Sequence, residues 1–162
     1  RGDFRAFEKD VQDALRFGVV RYPGTAEPGG PGNVFITGHS AYLFWDSGRY
    51  KEVFARLSEL DVGDTYAISY RGKLHHYRVA KKFEVSPKDI SVLAQPSDKR
   101  MSTLMTCTPV GTTLRRLIVQ AEEIEPSTGK TFEIAEASAK AGTQNNQKFG
   151  EELPGWGNQL SM

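Results

Sequence analysis

The chain lacks a second cysteine: Cys107 is the only one among its 162 residues. An intrachain disulfide is excluded, so the thiol is either a buried apolar filler or a reactive group. Neither charge is in excess, with 21 Lys and Arg against 20 Asp and Glu, mixed throughout. That balance offers no basic stripe for nucleic acid and no acidic solvating segment. Long apolar runs are missing too, so no stretch of this sequence is long enough to span a bilayer as a helix. The first residue is Arg1 rather than methionine, which reads as a trimmed or mature fragment. The absence of a signal peptide or anchor is then uninformative. Internal repeats are also missing.

What is present fits one domain with a proper core, at 38% hydrophobic residues. Phe4, Phe7, Val11, Ala14 and Leu15 recur at helical spacing and predict an amphipathic helix over 4–17. A short strand over 18–22 precedes a stretch from Pro23 to Gly32 too rich in Gly and Pro for regular structure. The next strand runs from Asn33 to Thr37 and ends at Gly38-His39-Ser40. Tyr50 to Leu60 predicts a second helix, with Val53, Phe54, Leu57 and Leu60 on one face. Thr65 to Tyr70 and Lys73 to Val85 read as a hairpin joined by Arg71-Gly72. Ser86-Pro87-Lys88-Asp89-Ile90 reads as a helix start, with Ser86 as cap. Strands are expected over 101–106 and 114–122. Beyond Pro126 the composition turns to Ala, Gly, Gln, Asn and Lys, a tail expected to be mobile. Six or more short strands with brief helices indicate a mostly-β sandwich or barrel.

Cys107 stands where a strand ends, and Arg115 and Arg116 return beside it on the next one. Positive charge near a thiol favours the nucleophilic thiolate. Alternation along the second strand puts Leu117, Val119 and Ala121 on a core face, with Arg115 at its edge. Arg116 then shares the opposite face with Ile118 and Gln120, expected to be the outer surface. Thr103, Met105 and Cys107 share one face of the preceding strand. If both outer faces form one groove, Arg116 is the arginine that can reach the substrate of Cys107; otherwise both arginines are solvated surface charges. His75 and His76 are strand neighbours that point to opposite faces, so they cannot chelate one metal together. His39 ends a strand where a loop begins, the best placed of the three histidines to partner Cys107. Ser40 lacks the second glycine of a Gly-x-Ser-x-Gly elbow.

These residues resemble the sortase family. Thr103-Leu104-Met105-Thr106-Cys107 matches its Thr-Leu-x-Thr-Cys signature in full, and Arg116 follows the cysteine by nine residues. Tyr22-Pro23-Gly24-Thr25 and Asn33-Val34-Phe35-Ile36-Thr37-Gly38-His39-Ser40 are similar to the segment carrying the sortase histidine. The similarity runs from about Val19 to Glu123.

The resemblance implies a closed eight-stranded β-barrel with short helices and an N-terminal helix. Residues 1–125 would be the catalytic domain, with the barrel over 18–125, and 126–162 a largely flexible tail. It also implies a cysteine transpeptidase at the extracellular face of the bacterial membrane, with its anchor outside this sequence. Such an enzyme cleaves a C-terminal sorting signal like Leu-Pro-x-Thr-Gly and passes the acyl group to an amine of the cell wall or another protein. By motif, Cys107 is the nucleophile, His39 the acid/base and Arg116 the oxyanion and substrate-positioning group. Thr103, Thr106 and Ser40 are the implied substrate-binding positions. No cofactor is implied. Calcium, used in one branch, finds no compact acidic cluster here.

Departures from the family pattern bear on subclass. The Pro/Gly loop before Asn33 lacks the Asp-Pro-aromatic lid of pilin-polymerising sortases, which favours an open groove. Val110 stands where many relatives have Tyr, and Arg115 where pilin-type enzymes often have His. Leu153-Pro154-Gly155-Trp156-Gly157 keeps part of a sorting motif, and a pseudosubstrate reading stands beside coincidence. Two alternatives remain. An L,D-type peptidoglycan transpeptidase would place its cysteine after Ser-x-Gly, where this chain has Met105-Thr106. A non-catalytic surface β-barrel would keep Cys107 inert.

Overall fold

The computed structural model describes residues 4–40, 49–132 and 134, with side chains from Lys9 onward in the N-terminal helix. Helix α1 spans Phe4–Leu15. It closes two residues earlier than the periodicity predicts. The amides of Arg16, Phe17 and Gly18 bond three residues back, and Gly18 leaves at φ 143°. Such tight bonds and a positive φ are how a helix ends. Leu15 is buried, whereas Phe17 is 81% exposed, so the apolar stripe stops with the helix.

Six strands follow: β1 (Val20–Arg21), β2 (Gly32–Thr37), β3 (Thr65–Tyr70), β4 (Lys73–Val85), β5 (Arg100–Thr108) and β6 (Arg115–Ile124). They form one mixed sheet in the order β1-β2-β5-β6-β4-β3, curled into a half-barrel. Only β2 and β5 run parallel. The expected closed barrel of eight strands is met, among the described residues, by this open sheet of six. Its edge strands β1 and β3 do not pair with each other.

Two other sequence expectations need correction. The segment from Tyr50 to Leu60 forms successive turns and a 3₁₀ turn at Leu57–Glu59 rather than an α-helix. Its amides bond three residues back, and Phe54 N–H is diverted to the carbonyl of His39 at 2.9 Å. The apolar face was legible all the same, since Leu57 is buried and Phe54 and Leu60 pack on the same cluster. After Ser86 the chain also fails to become an α-helix. Ser86 Oγ and Asp89 Oδ1 accept the amides two residues on, at 3.3 and 3.0 Å. Such local bonds compete with helix formation, and only a 3₁₀ turn at Ser91–Leu93 results.

The hairpin falls where Arg71-Gly72 predicts it. Tyr70 pairs with Lys73, and both turn residues have positive φ, 48° and 77°. That is the turn whose twist suits two-residue hairpins.

Both faces of the sheet are covered, which the alternation argument did not foresee. One cluster packs Val34, Ile36, Leu104, Leu117 and Val119 on one face. A second packs Phe35, Met105 and Ile118 against Tyr22, Val92 and Leu93 on the other face. Strand β2 is consequently buried along its whole length, as strands covered on both sides are. A register shift between Val79 and Lys81 in β4 flips its alternation, so that Phe83 and Val85 join the second cluster. Past Glu125 the chain makes a tight return, and Thr131 bridges Ile124. The rest of the expected tail, with Leu153-Pro154-Gly155-Trp156-Gly157, lies outside the described residues.

Candidate active site

The end of β5 and the start of β6 create the site. Cys107 and Arg116 are directly opposed partners in the antiparallel pair, so their side chains project from one face. Val85 of β4 pairs with Arg116 from the other side. The expected shared face is therefore observed, but it is no open outer surface. Arg116 is 3% exposed, and Ile118 beside it is fully buried. The second cluster, supplied by the segments around Tyr22 and Val92, covers the face that a lone strand pattern assigns to solvent.

The two arginines differ sharply. Arg115 Nε bonds Glu84 Oε2 at 3.0 Å on the surface, with both side chains about half exposed. Arg116 is buried, and its Nη1 donates to the carbonyls of Thr113 and Arg115, each at 3.1 Å. Those bonds hold the guanidinium at the site of the thiol. Burial pushes the Cys107 thiol above its usual value, and the charge of Arg116 pulls in the opposite direction. Desolvation is the larger influence, as expected when a thiolate must leave water.

His39 reaches the same level from β2. The parallel register pairs Thr37 with Met105, and Gly38 N–H continues the ladder to the Met105 carbonyl at 3.2 Å. Two residues past each of those partners stand His39 and Cys107. His39 is partly buried and Ser40 is buried. Thr106 and Thr103 are buried, with their hydroxyls engaged inside the protein. Thr106 Oγ1 donates to the Gly38 carbonyl at 2.7 Å, and Thr103 Oγ1 to Asn33 Oδ1 at 2.8 Å.

Some supporting residues escaped the sequence reading. Gln95 Oε1 accepts the amides of Ala26 and Asn33, while its Nε2 donates to the carbonyls of Asn33 and Leu93. Asn33 Nδ2 in turn donates to the Val92 carbonyl. This network fastens the start of β2 to the segment before β5, and a Gln in a loop carries no signal of it. Glu123 is buried and lies 2.8 Å from His75 Nδ1, toward the end of the sheet away from Cys107. One more step of the Leu117-Val119-Ala121 alternation would have flagged it. Among the described residues, no group of three or more His, Cys, Asp or Glu is arranged to hold a metal ion. No described helix is long and apolar enough to cross a membrane.

Comparison with known proteins matches residues 3–124 to the sortase domain family model. The Clostridium perfringens sortase D5 transpeptidase is 34% identical, with a TM-score of 0.59 over 70% of this chain and 66% of that one. Sortase C-1 of Actinomyces oris is 29% identical at a TM-score of 0.62, over 70% and 62%. A lid mutant of sortase A from Corynebacterium diphtheriae is 30% identical at 0.61, over 70% and 60%. The chain thus spans less than two thirds of the length of each. No curated protein sequence matches it.

Proposed function

The chain belongs to the sortase family, and on that premise we propose that it is a cysteine transpeptidase acting on sorting signals. The observation that carries this reading is the direct pairing of Cys107 with a buried Arg116, with His39 at the same level of the adjoining strand. In this reading the Cys107 thiolate attacks the carbonyl carbon of the threonine in a Leu-Pro-x-Thr-Gly-like signal. The carbonyl electrons move to oxygen, and Arg116 holds a fixed positive charge where that oxyanion develops. Protonated His39 gives its proton to the departing glycine amine, the C–N bond breaks and a thioester remains. An amine of the cell wall or of another protein then attacks the thioester, His39 takes the amine proton, and Cys107 leaves as thiolate. Water replacing the amine gives hydrolysis.

Burial raises the Cys107 thiol, which lowers the share of nucleophilic thiolate at neutral pH. Solved relatives of classes A, C and D leave the subclass, and with it the motif, as part of the proposal. The family's usual place, the outer face of the bacterial membrane, is the location we assign to the full protein. The test is mass spectrometry of the protein with Leu-Pro-x-Thr-Gly-type peptides and triglycine. A transferred peptide that disappears with Cys107→Ala is the expected result. If no peptide is turned over and Cys107 also resists alkylation, the thiol is a structural filler and the proposal fails.

A further inference from the structure

We infer that Thr106 and Phe54 form a two-sided clamp on the backbone of Gly38 and His39, setting the position of the histidine relative to Cys107. The inference rests on the transpeptidase reading for its catalytic consequence, though the clamp itself is a matter of geometry. On one side, Thr106 Oγ1 donates to the Gly38 carbonyl at 2.7 Å, and both residues are buried. On the other, Phe54 N–H donates to the His39 carbonyl at 2.9 Å. The ring of Phe54 closes against Gly38 as well: a Cβ there would lie 2.7 Å from Phe54 Cδ2 and 3.0 Å from Val53 Cγ1. Glycine is required at 38 by this close approach.

The arrangement explains two otherwise separate facts. Thr106 immediately precedes Cys107, so a hydroxyl bonded to Gly38 ties the nucleophile's strand to the residue before His39. The segment 50–60, meanwhile, forfeits a regular helix in order to give its Phe54 amide to His39. Thr106 is then a positioning residue acting through His39, in place of the substrate contact that its motif implies. In this reading each acts through a backbone carbonyl, that of Gly38 or of His39, and not on the reacting atoms.

The test compares Thr106→Val, which keeps the shape and deletes the hydroxyl, with Thr106→Ser, which keeps the hydroxyl. Misplacing a catalytic group by about 1 Å can cost about 100-fold in rate. The Val variant should therefore lose about 10–100-fold in kcat with KM held within about threefold, and the Ser variant should recover most of that. A rise in KM at unchanged kcat would mean that Thr106 contacts substrate, and would overturn the clamp. A fall in melting temperature without loss of kcat would overturn it too. Should the Val variant not fold, Gly38→Ala strains the opposite jaw and is expected to lower kcat in the same way; normal kcat there would count against the clamp.

A second readout needs no turnover. The imidazole NMR signals of three histidines can be followed through a pH titration. The clamp predicts that the His39 signal shifts with Thr106→Val and returns with Thr106→Ser, while those of His75 and His76 stay in place. An unmoved His39 signal would sink the inference even in an active enzyme. Wild-type protein without turnover, but with a shifting His39 signal, would instead sink the transpeptidase reading and leave the clamp standing.

Discussion

Cys107 and Arg116 set opposing influences on one proton. Burial raises the thiol from its usual value near 9.0, and the guanidinium lowers it by a smaller amount. Alkylation by iodoacetamide should therefore rise with pH along a curve whose midpoint lies above 9.0. Arg116→Ala removes the favourable charge, so the midpoint should move higher and alkylation at pH 7 should slow; a faster reaction would contradict the assigned influence. The same shift bears on stability. The folded protein holds this proton more tightly than the unfolded chain, so the contribution is full below the ordinary thiol value. It is lost as pH rises from there through the folded value. Cys107→Ala should flatten that alkaline decline in a denaturation series. At this scale the sequence was highly legible. The signature around Cys107 and the arginine nine residues on sufficed to nominate the site. It did not reveal that Arg115 pairs with Glu84 on the surface while Arg116 is buried, because exposure depends on what covers a face.

Elements built on local chemistry were read well, and those that depend on distant partners were not. The β3–β4 hairpin follows from Arg71-Gly72, whose backbone has positive φ at both residues. The 50–60 segment has helical spacing yet forms turns, because the carbonyl of His39 competes for the Phe54 amide. Strand β6 illustrates the same limit. Alternation assigned Ile118 to the outer surface, whereas it is fully buried among Tyr22, Phe35 and Met105. Ile118→Ala should therefore cost about 2–5 kcal/mol in a urea or guanidinium titration, the range for deleting a buried aliphatic side chain. A surface isoleucine would cost about 0.5 kcal/mol or less, so a value that small would refute the second core.

For the whole molecule, the described residues make a half-barrel whose two faces are both covered, with a short return over 125–132. Phe132 lies in that return, stacked under the Arg100 guanidinium at 4.7 Å. Ending the chain after Ile134 keeps the return and should leave both the melting temperature and peptide turnover unchanged. A gain in turnover would instead show that the Leu153–Gly157 segment occupies the groove, as the pseudosubstrate reading holds. By itself the sequence determined the family, the strand-rich class and the residues nominated for chemistry, because motif spacing and two-residue periodicity are local properties. Only the tertiary structure decided that Arg116 is buried, that the Tyr50–Leu60 face is carried on turns, and that Thr106 bonds the backbone before His39. Those outcomes depend on which segments meet across the sheet, and pairing partners some 70 residues apart leave no periodic trace in either segment.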